Sequence, residues 1–246
     1  MGITMKKRTK IILAVCLAVL IAVGLGGYGY LSSYYPASDA AVAALAVQVD
    51  RVQVEQDRKV TWFVPDQPTA GLIFYPGGKV ACEAYAPLLR ACAENGVLCA
   101  LVKMPGNLAV LSPNAADGLQ AVHPEIEHWY IGGHSLGGAM AANYAASHAD
   151  AFDGLILLAA YSTKDLTQTS LKVLSVYGSE DGVLNRESYA ENRSNLPADC
   201  TEVVLEGGCH AQFGSYGAQK GDGTPTISGE EQIRQTAALV SALIGE

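Results

Sequence analysis

From residue 60 onward the chain is made of short apolar runs, each ended by glycine, proline or a helical stretch. That alternation limits its fold more than any other feature. The runs are Val60 to Val64, Gly71 to Tyr75, Val97 to Val102, His128 to Ile131, Gly154 to Ala159, Val173 to Tyr177 and Val203 to Leu205. They are too short for helices and mostly apolar throughout, so they read as strands buried on both faces. Glu83 to Asn95 has helical spacing and stops at Gly96, Leu136 to His148 is helix-rich, and Glu230 to Ile244 is a closing amphipathic helix. The pattern predicts an α/β domain: a mostly parallel central sheet with helices on both faces. In such sheets chemistry gathers at the carboxyl ends of the strands, so the polar residues just past each run are the candidates.

The N-terminus is of a different kind. Lys6-Lys7-Arg8-Thr9-Lys10 is followed by Ile11 to Leu31, a stretch of 21 residues without a charge. At about 1.5 Å per residue this is long enough to cross a hydrocarbon core of about 30 Å. Tyr28, Tyr30, Tyr34 and Tyr35 stand at its far end, where aromatic rings favour the headgroup level, and the basic cluster belongs on the cytoplasmic side. The expected organisation is a basic cytoplasmic head (1–10), a transmembrane signal anchor (11–31), a stalk (32–48) and an extracytoplasmic catalytic domain (49–246). A cleaved signal peptide and a secreted domain is the competing reading. Against it stand the length of the apolar stretch and the bulky tyrosines where small residues would mark a cleavage site.

Charge excludes one class of partner. The chain carries 16 basic and 24 acidic side chains, and four of the basic ones lie in the first ten positions. From residue 31 on, the balance is 12 basic against 24 acidic, a surface that repels phosphate backbones. Nucleic acid is therefore not expected as a partner. The six cysteines (Cys16, Cys82, Cys92, Cys99, Cys200, Cys209) show no C-x-x-C spacing and no histidine at metal-ligand distance. They read as small buried hydrophobes, not as a disulfide framework or a metal site.

Three residues carry the chemistry. Gly133-His134-Ser135-Leu136-Gly137 has the G-x-S-x-G form and falls between an expected strand and an expected helix, the context of a nucleophile elbow. A strained turn there would hold Ser135 out at the sheet edge, and glycines bracket it because a side chain would strike the adjoining strand and helix. Asp181 follows the run at Val173, on a loop where a carboxylate can hold a histidine's tautomer. Its neighbour Glu180 competes for that role, but Asp181 is shorter and precedes Gly182. His210, in Gly207-Gly208-Cys209-His210, is the one histidine of five that follows a strand in a glycine-rich loop at this end of the sheet. His134 lies inside the elbow; His123, His128 and His148 have ordinary surface or helix-end positions.

The order Ser135, Asp181, His210 is that of the α/β-hydrolase arrangement. The chain resembles a compact bacterial α/β-hydrolase related to the dienelactone hydrolase branch, over roughly residues 50 to 246. The motifs that carry the resemblance are Phe74-Tyr75-Pro76-Gly77-Gly78-Lys79, Val102 to Pro105, Gly132 to Gly138, and His210-Ala211-Gln212-Phe213-Gly214 with Tyr216-Gly217. The resemblance implies an α/β-hydrolase fold and an oxyanion hole built from the N–H of Leu136 and an N–H of the Gly77 to Lys79 loop, with Gly78 and Lys79 as the donor candidates. Dienelactone hydrolases proper use cysteine where this elbow has serine.

The mechanism that follows is acyl transfer. Ser135 attacks an acyl carbon as His210 takes its proton, Asp181 steadies the imidazolium, backbone amides hold the oxyanion, and water cleaves the acyl-enzyme. No metal or organic cofactor is required. The expected partners are a small acyl substrate and the membrane. An acyltransferase, in which an alcohol or amine replaces water, and a non-catalytic binding module are the rival readings. An added acceptor separates the first, and a fluorophosphonate probe separates the second. Only Tyr161 to Leu171 lie between the strands near residues 159 and 172, too few for a helical cap, so the substrate should be short or compact. Met104 to Pro124 and the glycine-rich run Gly207 to Gly229 are the segments that could shape the mouth.

Overall fold

The computed structural model describes residues 7–46 and 51–245. It divides into two compact units, Met1–Tyr34 and Tyr35–Glu246. The first is a helix, α1 (Lys7–Ser32), whose most apolar stretch of 18 residues, within Arg8–Ser32, has a mean hydropathy of 2.6 and no buried residue. By length and composition it can cross a membrane.

The second unit holds an eight-stranded sheet in the order β1-β2-β4-β3-β5-β6-β7-β8. Its strands are β1 (Val52–Gln56), β2 (Val60–Pro65), β3 (Ala70–Tyr75), β4 (Val97–Val102), β5 (Trp129–His134), β6 (Gly154–Leu158), β7 (Lys172–Gly178) and β8 (Cys200–Leu205). β1 and β2 pair antiparallel, as do β2 and β4, and every other pairing is parallel. All seven expected strands are present. The additional one, β1, is a short edge strand with a single buried side chain, so its sequence carries no apolar run.

Side-chain alternation divides the interior into two cores. In β3, Leu72 and Phe74 join one core while Ile73 and Tyr75 join the other. The first core lies against the helices α3 (Ala86–Glu94) and α6 (Gly229–Gly245), and the second against α4 (Leu136–Ser147). Both faces are thus covered, which is why these strands read as unbroken apolar runs. A further helix, α5 (Arg186–Asn192), is short and polar and begins where the Asn185 side chain accepts from the Ser188 N–H at 3.0 Å. Sequence periodicity does not reveal a helix of that length.

The expected stalk is corrected. Within 32–48, Tyr35 forms a parallel bridge with Val80, and Asp39–Ala46 folds into helix α2 with Ala41 fully buried. Small alanines let α2 pack closely against α3, where an Arg90 guanidinium hydrogen bonds the Ala44 carbonyl. This part of the segment is domain, not tether; residues 47 and 48 lie outside the described residues. Between β6 and β7 there is no helix, as the short spacing required.

Candidate active site

Four loops meet at the carboxyl edge of the parallel strands, and the backbone is strained in each. Among the described residues, the non-glycine positions with positive φ are Lys79 after β3 (60°), Asn107 after β4 (56°), Ser135 after β5 (52°) and Ala159 after β6 (47°). Each such conformation costs about 1–3 kcal/mol, and strain of this kind collects at functional sites.

Ser135 stands between β5 and α4, half-buried, with ψ −123°. Its N–H donates to the Leu158 carbonyl at 2.9 Å, which ties the turn to β6, and its own carbonyl accepts from Ala139 N–H at 3.0 Å. The glycines around it are required by space. A Cβ on Gly133 would lie 2.5 Å from the Tyr75 carbonyl oxygen and 2.6 Å from the Gly137 carbon, and one on Gly137 would overlap the carbonyl oxygens of Tyr75 and Pro76. The turn between β5 and α4 is therefore tight, with room for no side chain at Gly133 or Gly137.

Asp181 and His210 come together 29 residues apart in the chain. His210 Nδ1 lies 2.9 Å from Asp181 Oδ2, with both side chains almost fully buried. The other carboxylate oxygen, Asp181 Oδ1, accepts from Val183 N–H at 2.9 Å and Leu184 N–H at 2.8 Å, so the acid is held in a tight turn. Glu180, the competing acid, is exposed, and its carboxylate accepts from the Ser179 hydroxyl at 3.1 Å. The His210 ring stacks obliquely on His134, the residue before Ser135, with centroids 4.5 Å apart. Among the described residues the Ser135 hydroxyl makes no hydrogen bond to the imidazole; in unliganded sites such bonds commonly tighten only with substrate.

Among the backbone amides at this edge, Leu136 N–H, at the first turn of α4, and Gly78 N–H have no hydrogen-bond partner among the described residues. The two residues pack together, since a Cβ on Gly78 would lie 2.7 Å from Leu136 Cδ2 and 3.3 Å from Leu136 Cβ. Lys79, the other expected donor, is corrected. Its N–H is committed to the Asn107 carbonyl at 2.7 Å and cannot also serve an oxyanion. Gly77 N–H is likewise committed, to the Tyr85 hydroxyl at 3.0 Å.

Comparison with known proteins bears on the family and the fold. A family model, the alpha/beta hydrolase family, matches residues 71–234. The chain belongs to the alpha/beta hydrolase family. Solved structures share the fold at low identity. A predicted CIB-like hydrolase from Thermoplasma acidophilum is 17% identical with a TM-score of 0.56, over 78% of this chain and 98% of that one. Est1E from Butyrivibrio proteoclasticus, in its structure with ferulic acid bound, is 14% identical with a TM-score of 0.59, over 81% and 99%. The dienelactone hydrolase from Anabaena variabilis is 16% identical with a TM-score of 0.57, over 78% and 96%. No curated protein sequence matches the chain.

The hydrolase contains three supporting side chains that its sequence does not announce. Asp222, inside the glycine-rich run, accepts from His210 N–H at 3.2 Å, Ala211 N–H at 2.8 Å, Gly182 N–H at 3.1 Å and Gly223 N–H at 2.9 Å. It joins the Asp181 loop to the His210 loop; partial burial opposes its ionisation, but these amides prevail and hold its pKa below the ordinary carboxylate value. Gln232 of α6, fully buried, grips the main chain of Cys209 through N–H to Oε1 at 3.0 Å and Nε2–H to the carbonyl at 2.8 Å. Cys209 itself is buried, and desolvation raises its thiol to about 11, so it stays protonated.

Tyr85 is the third. Its hydroxyl accepts from Gly77 N–H at 3.0 Å and shares a hydrogen bond with His134 Nδ1 at 2.8 Å. Burial, reinforced by the nearby His210 ring, holds the His134 pKa well below the ordinary histidine value, and the ring is neutral. Tyr85 thereby links the loop carrying Gly78 to the residue preceding Ser135. A cleft of about 1010 Å³ lies behind the histidine loop, bordered by Ala44, Pro87, Ala211, Pro225 and Ile233; Ser135, Asp181 and His210 do not line it.

Proposed function

We propose that this hydrolase cleaves ester-type acyl bonds through Ser135, His210 and Asp181 and an acyl-enzyme intermediate. The observation that carries the reading is the juxtaposition at one sheet edge of a strained, half-buried serine, a carboxylate-bound imidazole and the unpartnered amides of Leu136 and Gly78. Ser135 is the nucleophile. His210 takes its proton and returns it to the leaving group, while Asp181 fixes the imidazole with its proton on Nδ1 and stabilises the imidazolium. Leu136 and Gly78 N–H stabilise the oxyanion, with Gly133, His134 and Gly137 shaping the elbow. The substrate is small or compact, because no helix covers the site between β6 and β7. We propose further that α1 anchors the enzyme in the cell membrane with the basic N-terminus cytoplasmic and the hydrolase unit outside. The uncharged 21-residue stretch and its flanking Lys/Arg cluster support this.

The test is hydrolysis of p-nitrophenyl acetate by the detergent-solubilised full chain. Ser135→Ala and His210→Ala should abolish turnover, and Asp181→Asn should reduce it severely, by up to about 10⁴-fold. Full activity in Ser135→Ala would overturn the proposal. For topology, protease added to intact cells should reach the hydrolase unit, and protection until the membrane is broken would reverse the orientation.

A further inference from the structure

The loop that carries the Gly78 amide is not held in place by the hydrolase sheet alone. Lys79, next in the chain, has φ 60°, a left-handed conformation that non-glycine residues seldom adopt. It is gripped at both ends. Its N–H donates to the Asn107 carbonyl at 2.7 Å, and its carbonyl accepts from the Tyr35 N–H at 2.8 Å. Ala81 N–H returns to the Tyr35 carbonyl at 2.9 Å, completing the parallel bridge to Val80.

Tyr35 also reaches the segment downstream of His210. Its hydroxyl accepts from Lys220 N–H at 3.2 Å, and its ring lies 5.7 Å from that of Tyr216. Ser38 N–H donates to the Ser215 carbonyl at 2.8 Å, and Ser215 N–H donates to the Ala84 carbonyl at 2.7 Å. The stretch Tyr35–Ser38 therefore touches the loop after β3 and the loop after β8 together. It lies well before residue 71, where the family match begins.

We infer that Tyr35 is a positioning residue for the oxyanion loop, so that the segment just after the apolar helix is a working part of the active site. The inference rests on the serine-hydrolase reading given above. Its physical content is specific. Lys79 directly follows Gly78, and the hydrogen bond from Tyr35 N–H, one of those that hold Lys79 in its left-handed conformation, limits how far the Gly77–Lys79 turn, and the Gly78 amide in it, can shift. Without it the Gly77–Lys79 turn loosens, the Gly78 N–H is no longer held at one position, and the transition state loses a well-placed donor while substrate binding is little changed.

The experiment compares Tyr35→Ala and Tyr35→Pro with wild type in the detergent-solubilised full chain with p-nitrophenyl acetate. Turnover is normalised to the number of sites titrated by a fluorophosphonate, which removes the effect of unfolded protein. Tyr35→Pro deletes the N–H donated to Lys79 and should lower kcat per site about 10- to 100-fold, with KM within about two-fold of wild type. Tyr35→Ala keeps the N–H but loses the ring that seats it, and should lower kcat per site by about five-fold or more, again with KM unchanged. A purely structural Tyr35 would reduce the number of titratable sites and leave kcat per site unchanged in both Pro and Ala variants. That result overturns the inference while the wild-type labelling leaves the serine-hydrolase reading standing. If Tyr35→Pro does not fold, Tyr35→Ala alone decides on the same criterion. A wild type that neither labels at Ser135 nor hydrolyses the ester overturns both.

Discussion

Replacing Tyr85 by phenylalanine removes one oxygen from the interior and two hydrogen bonds with it. Tyr85 is fully buried, and its hydroxyl is the partner of both Gly77 N–H, at 3.0 Å, and His134 Nδ1, at 2.8 Å. Phenylalanine preserves the ring and its packing 5.3 Å from the Phe74 ring, so the hydrophobic contribution is almost unchanged. Each buried group left without a partner costs about 1–3 kcal/mol, so the pair should cost about 2–6 kcal/mol. For a domain of this size that is a fall in Tm of about 4–24 °C. The assay is thermal unfolding of the full chain in detergent, followed by circular dichroism and repeated by guanidinium titration. Turnover should fall as well, because Gly77 adjoins the Gly78 amide. A Tm within about 1 °C of wild type would refute the reasoning: the hydroxyl would then be replaceable by water or by relaxation, and Tyr85 would not be bracing the loop.

Other expectations follow from the same geometry. Asp222→Asn should lower turnover and stability together, because an amide nitrogen would face backbone N–H donors; an unchanged melting curve and unchanged kcat would exclude the clamp role. Neutral, buried His134 sets a pH dependence: the unfolded chain takes up a proton below about 6.5 that the folded chain refuses, so stability should fall with acidification at up to about 1.4 kcal/mol per pH unit. Denaturant midpoints between pH 7 and 5 measure this, and a His134→Gln variant with the same slope would contradict the assignment. Gly137→Ala should prevent the elbow from forming, since its Cβ would overlap two carbonyl oxygens, and soluble active protein from that variant would disprove the packing argument. Across p-nitrophenyl esters from acetate to palmitate, kcat/KM should be highest for the short acids, and a steady rise with chain length would indicate an apolar wall at the mouth.

What the sequence makes legible is what repeats or what sterics force. Runs such as Leu72 to Tyr75 are apolar at every position because helices cover both faces of the sheet, and continuous burial leaves a continuous signal. The glycines of the elbow are legible because no other residue fits between β3, β5 and α4. Asp181 and His210 are found from their places just past strands. Asp222 is not, because a lone carboxylate in a glycine-rich run looks like any surface loop, and its hydrogen bonds go to main-chain amides that every residue possesses. Tyr85 hides in the apolar face of a helical turn, where aromatic residues are ordinary. Tyr35 is the extreme case. Its role lies in its own backbone N–H and carbonyl, and Ala-rich sequence after an apolar helix has the composition of a spacer. Lys79 failed as an oxyanion donor for the same reason: the loop after β3 offers three amides, and which are free depends on Asn107 and Tyr85, two partners distant in the chain.

The acyl-enzyme is the centre of the account, and trapping it is the most direct test. The full chain is treated with a fluorophosphonate and, separately, quenched in acid during turnover of p-nitrophenyl acetate; intact mass and peptide mapping then locate the adduct. One adduct per chain, on Ser135, is predicted in both cases, with none in Ser135→Ala and little in His210→Ala. An adduct on another residue, or turnover that persists in Ser135→Ala, would contradict it.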